Sequence, residues 1–171
     1  ATFYLDVATI KGIGEGVEYR LARKKESSTY AYGYHIRESD EYRAKYTEPL
    51  DRKPDRWFGE VLHSENFGPG FSGKMRLWGF SDRQYFKDYG RSYEERAMEQ
   101  AYSFVSLTKN WENYSLGGEA RHTQDLRFED KTTLQTYPTV NFSGVRQKIL
   151  GSPAYFDFTS SYGNFYRQVG T

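Results

Sequence analysis

The sequence predicts an all-β protein, an antiparallel up-and-down transmembrane β-barrel with about 8–10 strands present. Three observations lead there. Apolar and polar residues alternate with period two from one end to the other, and no segment holds a helical period long enough to compete. The alternating runs are about 9–11 residues long, the length of a tilted membrane-crossing strand. The connections are uneven, with the longest ones following odd-numbered strands, as when long loops emerge on one side of a barrel and short turns on the other.

The elements follow in order. Thr2–Thr9 sets Phe3, Leu5 and Val7 against Tyr4, Asp6 and Ala8. Gly12–Gly16 (GIGEG) reads as a turn with positive-φ residues, since it lacks the Gly-Lys-Ser/Thr ending of a phosphate loop and no helix follows. Glu15–Arg23 opposes Val17, Tyr19 and Leu21 to Glu18, Arg20 and Ala22. The third strand places Tyr30, Tyr32, Tyr34 and Ile36 opposite Ala31, Gly33, His35 and Arg37. A long polar segment leads to Arg56–Ser64, a tight turn in ENFGPG, and Phe71–Phe80, where Phe71, Gly73, Met75 and Leu77 oppose Ser72, Lys74, Arg76 and Trp78. After a second polar segment, 81–97, a sixth strand covers Met98–Lys109. The seventh opposes Tyr114, Leu116, Gly118 and Ala120 to Ser115, Gly117, Glu119 and Arg121. The eighth covers Thr133–Ser143, the ninth opposes Phe156 and Phe158 to Tyr155, Asp157 and Thr159, and a tenth begins near Asn164. By the loop rule, strand one rises from the periplasm and the long loops face outward. The segment GVRQKILGSP is long for a periplasmic turn.

Composition narrows the function classes. The 171 residues suit one domain, here a single β-barrel domain over 1–171. Mean hydropathy is −0.87, yet 18% of residues are aromatic, a content that disordered chains lack. Lys and Arg number 24 against 23 Asp and Glu, so the charge points to no nucleic-acid partner. There is no cysteine, hence no disulfide, thiolate metal site or cysteine nucleophile. No apolar run is long enough for a transmembrane helix, and the N-terminus does not read as a signal peptide.

No residue pattern points to an enzyme, and no cofactor or metal is expected. His35, His63 and His122 fall on separate strands without ligand spacing. His63 and Ser64 are adjacent, so their side chains leave opposite faces of a strand and cannot act as a catalytic pair. The aggregate surface carries more than any single residue. Glu18, Arg20, His35, Arg37, Lys74, Arg76, Glu119, Arg121 and Asp157 are expected to line a wet lumen, suited to phosphates and sugars through charge-assisted hydrogen bonds. Tyr30, Tyr32, Tyr34, Phe71, Phe156 and Phe158 are expected on the lipid side, the tyrosines at the interface because each ring is apolar and its hydroxyl polar. Two other readings fit the same pattern: a self-contained small barrel acting as a pore or adhesin, and a soluble β-sandwich that binds carbohydrate through its aromatics.

The stretch DRWFGEVLHSENFGPGFSGKMRLWGFSDRQYFKDYG resembles the early barrel of the LptD family of lipopolysaccharide-assembly proteins, also called organic-solvent-tolerance proteins. Arg-Trp opens a strand after an acidic loop, and Ser-Asp-x-x-Tyr-Phe heads the next loop. ATFYLDVATIKGIGEGVEYRL is similar to the family's first barrel hairpin, and YPTVNFSG and YFDFTSSYGNFYR to later strands. The resemblance implies a bacterial outer-membrane protein that inserts lipopolysaccharide into the outer leaflet, working with a lipoprotein plug in its lumen and periplasmic bridge proteins. It implies a very large barrel, of which this chain would be an N-terminal part. It also implies a lateral seam beside the first strand, which would place Phe3, Leu5 and Val7 at that seam. The departures are the absent periplasmic domain, the absent cysteines, and a first proline only at Pro49.

Overall fold

The computed structural model describes residues 1–24, 26–45, 53–127 and 133–167. Nine strands form one sheet in sequence order, each antiparallel to the next: β1 (Thr2–Ala8), β2 (Gly12–Lys24), β3 (Ser27–Glu38), β4 (Asp55–Gly68), β5 (Phe71–Phe80), β6 (Gln100–Asn110), β7 (Tyr114–Asp125), β8 (Gln135–Lys148) and β9 (Tyr155–Tyr166). The sheet is open. β1 and β9 are its edges, and no pairing between them closes a barrel among the described residues.

Alternation located these strands because period two is a property of the extended chain itself. The ends moved where tertiary pairing extends a strand past its apolar pattern. GIGEG is not a turn but the start of β2, paired with β1 and β3, and only Gly12 in it has positive φ. Asn164, expected to open a tenth strand, lies inside β9. β8 runs on to Lys148, so the β8–β9 connection shrinks to 149–154. The β4–β5 turn is sharp because Gly70 adopts φ +66° and its backbone packs against the Asn110 carbonyl, where a Cβ would collide.

The connections after β2, β4, β6 and β8 leave from one end of the sheet, and those after β1, β3, β5 and β7 (9–11, 39–54, 81–99 and 126–134) from the other. Parts of the second and fourth long-end connections, 46–52 and 128–132, are outside the described residues. The long polar segments read from sequence, 39–55 and 81–97, contain short helices: α1 (Asp40–Arg43), α2 (Tyr85–Tyr89) and α3 (Tyr93–Arg96). Each is four or five residues long, too short to give a periodic signal. Local caps start two of them. The Ser39 hydroxyl accepts from the Tyr42 amide, and the Ser92 hydroxyl accepts from the Glu95 amide. No helix among the described residues is long and apolar enough to cross a membrane.

The buried core is small and sits on one face of the sheet at the long-loop end. It comprises Phe58, Tyr85, Phe86 and Ala101, with Tyr32, Tyr34, Trp78, Phe80 and Tyr89 packed around it. The opposite face leaves large apolar side chains open, among them Leu5 (73% exposed), Val7 (74%) and Leu107 (47%).

Candidate functional site: a charged wall and its helical plug

Residues paired across antiparallel strands share a face, so the register assigns every side chain to one of two surfaces. One rung carries Glu18, Tyr32, Glu60 and Trp78 across β2 to β5. The next carries Arg20, Tyr30, Leu62 and Arg76, and continues to Phe104 and Arg121. A third runs from Lys74 through Ser106 and Glu119 to Thr139. This is the charged face. On the other side, Val17, Gly33, Gly59 and Gly79 form one rung, Tyr19, Ala31, Val61 and Leu77 another, and Met75, Val105, Ala120 lie on a third. This is the aliphatic face.

The expected site residues distribute as follows. Glu18, Arg20, Lys74, Arg76, Glu119 and Arg121 lie on the charged face, and Asp157 alternates with Phe156 and Phe158 on β9. Phe3, Leu5, Val7, Phe71 and Phe158 lie on the aliphatic face. The third strand was assigned the wrong way round. Tyr30, Tyr32 and Tyr34 share the face of Arg20, Glu18 and Phe58, whereas His35 and Arg37 share that of Trp57, Glu15 and Ile13. The physical reason is an internal contact: Tyr32 and Tyr34 pack against the core that Tyr85 and Phe86 of α2 share with Phe58, and the Tyr30 hydroxyl accepts from Arg91, so their apolar bodies do not mark the face's solvent.

Segment 81–99 folds back onto the charged face and closes its long-loop end. Phe86 is 1% exposed and stacks edge-on against Phe58 (centroids 5.1 Å apart) and Phe80 (5.2 Å). Tyr85 stacks on Phe58 at 5.8 Å. In the sequence these two residues appear only as the Tyr-Phe of the motif that heads the loop, and nothing there gives them a place in the core, because two aromatics in a polar segment have no periodicity to announce a buried face.

Two arginines tie this plug to the wall with opposite polarity. Arg56, on β4, is fully buried and reaches outward to the loops. Its Nε and Nη2 donate to the two Asp82 oxygens at 2.7 and 2.8 Å, and Nη1 donates to Asp88 at 2.8 Å and to Glu38 at 3.1 Å. The Asp82 pair is the two-pronged carboxylate geometry that only arginine offers. Arg91, on the loop, reaches back to the wall. Its Nη2 meets Glu60 of β4 at 3.0 Å and Glu95 of α3 at 2.7 Å, Nη1 donates to the Tyr30 hydroxyl, and the guanidinium lies over the Tyr32 ring at 4.4 Å. Glu60 also accepts from the Trp78 indole at 2.7 Å. Burial pulls the Arg91 pKa down, but the hydrogen bonds it donates to Glu95 and Glu60 outweigh it and leave it raised. The Tyr89 hydroxyl donates to Glu38 at 2.7 Å; burial first, then that bond, push its pKa up. Tyr85 is pushed up by burial and by the neighbouring Tyr32 and Tyr34. Glu94 and Glu95 lie in the first turn of α3, where Glu95 holds Arg91.

Chemically, the wall offers charge-assisted hydrogen bonding and aromatic stacking. No cluster of three or more His, Asp or Glu suited to a metal occurs among the described residues. The three histidines make separate contacts, His35 with Asp55, His63 with Thr29 and His122 with Tyr137.

A family model described as LptD, LPS transport system D, matches residues 54–171. A curated relative, the LPS-assembly protein LptD of Cupriavidus necator, is 26% identical over 152 residues, covering 88% of this chain. The chain spans 17% of that relative's length.

Proposed function

The chain belongs to the LptD family, and from that premise we propose that its sheet is a stretch of outer-membrane barrel wall in the lipopolysaccharide transport and assembly machinery. The observation that carries the reading is the division of the sheet by register into a charged, internally paired face and an open aliphatic face. A wall between lipid and a wet lumen needs this division, since aliphatic side chains are stabilised by hydrocarbon and charged ones are not. In this reading the charged face lines the lumen and the aliphatic face meets acyl chains. The long-loop end lies outside, and the plug of 81–99 seals the lumen against the exterior. The partners are lipopolysaccharide, a lipoprotein plug in the remaining lumen and periplasmic bridge proteins, and the location is the outer membrane of Gram-negative bacteria. The role is passage of an amphiphile, without covalent chemistry. Phe3, Leu5 and Val7 on the free edge of β1 belong to the lateral seam, where strand edges must separate and re-pair.

Photo-crosslinking residues placed one at a time at Ser106 and Asn141 of the charged face, and at Leu107 and Leu116 of the aliphatic face, test this in growing cells. Lipopolysaccharide adducts should form at the charged-face positions whenever transport is running, while the aliphatic positions trap bulk membrane lipid. Adducts that are equal on both faces, or that appear at no charged-face position, would sink the assignment.

A further inference from the structure

We infer that Lys74 and Arg76 form an anion subsite of the charged face, which holds the phosphate of a phosphorylated saccharide while the polar groove beside them takes its hydroxyls. The inference rests on the reading that this face is wet. It starts from an imbalance. The other charged face residues found on β2, β4 and β7 are paired: Glu18 with Arg20, Glu60 with Arg91, Arg56 with three carboxylates, and Glu119 with Arg121. Lys74 and Arg76, two residues apart on β5 and therefore about 7 Å apart along one face, have no carboxylate in ion-pair reach among the described residues.

Arg76 is held in place without being neutralised. Its Nη1 donates to the Tyr102 hydroxyl at 3.0 Å, and its guanidinium lies 5.3 Å from the Trp78 ring centroid and 5.2 Å from that of Tyr102. Its Nε is buried with no acceptor. Arg121 lies 5.2 Å from the same Tyr102 ring, on the rung that Arg76 and Phe104 share. A positioned cation that no carboxylate neutralises is what an incoming anion pairs with, and a guanidinium meets phosphate through charge-assisted hydrogen bonds.

Toward the short-turn end a groove of about 380 Å³ continues from Lys74, lined by Ser72, Ser106, Thr108, Glu119 and Asn141. Gly73, Gly117 and Gly118 border it, and nothing lies within 4 Å of where a Cβ at Gly117 would be. Hydroxyls, an amide and a carboxylate on an open floor match the donors and acceptors of a sugar ring. The groove lies toward the 69–70 turn, at the end of the sheet opposite the 81–99 segment.

The test uses the detergent-solubilised protein carrying this chain and isothermal titration with four probes: a phosphorylated glucosamine disaccharide, its dephosphorylated form, inorganic phosphate, and the acylated parent of the first. The phosphorylated disaccharide should bind roughly tenfold more tightly than either the dephosphorylated form or phosphate alone, the scale of one charge-assisted contact. Lys74→Gln with Arg76→Gln should erase the tenfold preference for phosphate, and Asn141→Ala should weaken both saccharides alike. Tighter binding of the acylated parent assigns the phosphate to a glycolipid headgroup, and equal binding assigns it to a free sugar phosphate; each supports the subsite. Equal affinity for phosphorylated and dephosphorylated sugar, full replacement by inorganic phosphate, or a preference that survives the double substitution would overturn it. Lipopolysaccharide adducts at Ser106 in cells without sugar binding here would sink the subsite alone. Sugar binding here without adducts anywhere on the charged face would sink the transport reading instead.

Discussion

Replacing Arg56 with leucine removes a cation that bonds Glu38, Asp82 and Asp88 together, and sets an apolar side chain among these three carboxylates. Arg56 is 0% exposed and makes four hydrogen bonds of 2.7–3.1 Å, so water cannot take over its role without the plug moving. Breaking a buried ion pair by deleting one partner costs about 3–5 kcal/mol, against about 0.2–1 kcal/mol for an exposed pair. That loss is comparable to what burying Tyr85 and Phe86 contributes to holding the segment 81–99 against the sheet, roughly 1.5–3 kcal/mol for each side chain. The expected outcome is release of the plug with the sheet intact. Limited proteolysis of the detergent-solubilised protein should cut within 81–99 in Arg56→Leu and leave wild type whole. Arg56→Lys should be intermediate, because an ammonium keeps the charge but cannot grip both Asp82 oxygens. If Arg56→Leu leaves 81–99 as protected as wild type, with unfolding shifted by less than about 1 kcal/mol, then the cluster does not anchor the plug.

Three other outcomes follow from the same geometry. Leu107→Arg should lower folding stability in lipid vesicles by about 2–4 kcal/mol if the site lies near the bilayer midplane, while Ser106→Arg on the next residue should cost far less; denaturant titration in vesicles compares them, and equal costs would refute the face assignment. Gly14→Ala should push aside the Tyr34 hydroxyl, whose ring atoms occupy the space of a Cβ there, and break its 3.0 Å bond to Asp6; a loss of roughly 1–3 kcal/mol is expected, rescued in part by Tyr34→Phe. Alkali should loosen the plug. The raised pKa values of Tyr85 and Tyr89 mean that the folded state favours the neutral phenols. Their contribution is therefore complete below the ordinary tyrosine pKa of about 10 and declines as pH rises above it, because the unfolded chain ionises first. Protease protection of 81–99 measured across that range should fall, and a variant with both residues changed to Phe should show a flatter profile.

Much of the candidate site was written into strands whose members could be grouped one strand at a time. Phe3, Leu5 and Val7, or Lys74 and Arg76, share a face in any extended chain. What one strand's pattern cannot say is which of its faces joins which face of its neighbour, because a one-residue change of register exchanges them. On β3 both faces were ambiguous, one tyrosine-rich and the other a mix of Ala, Gly, His and Arg, and hydropathy pointed the wrong way. Pairing of Tyr32 with Glu18 and Glu60 resolved it.

By itself, then, the sequence determined an antiparallel sheet of meander order with long connections at one end, because alternation and turn residues act over a few neighbours. It also determined the family resemblance, carried by the order of short motifs along the chain. Only the tertiary structure decided that the sheet's charged face is partly filled by its own loop. That depends on Arg56 meeting Asp82 and Asp88, and on Arg91 meeting Glu60, across separations of 26 to 32 residues. Contacts at such range leave no period in the sequence. They arise once the strands have set β4 beneath the 81–99 segment, where burial makes each unpaired charge costly and each paired one specific.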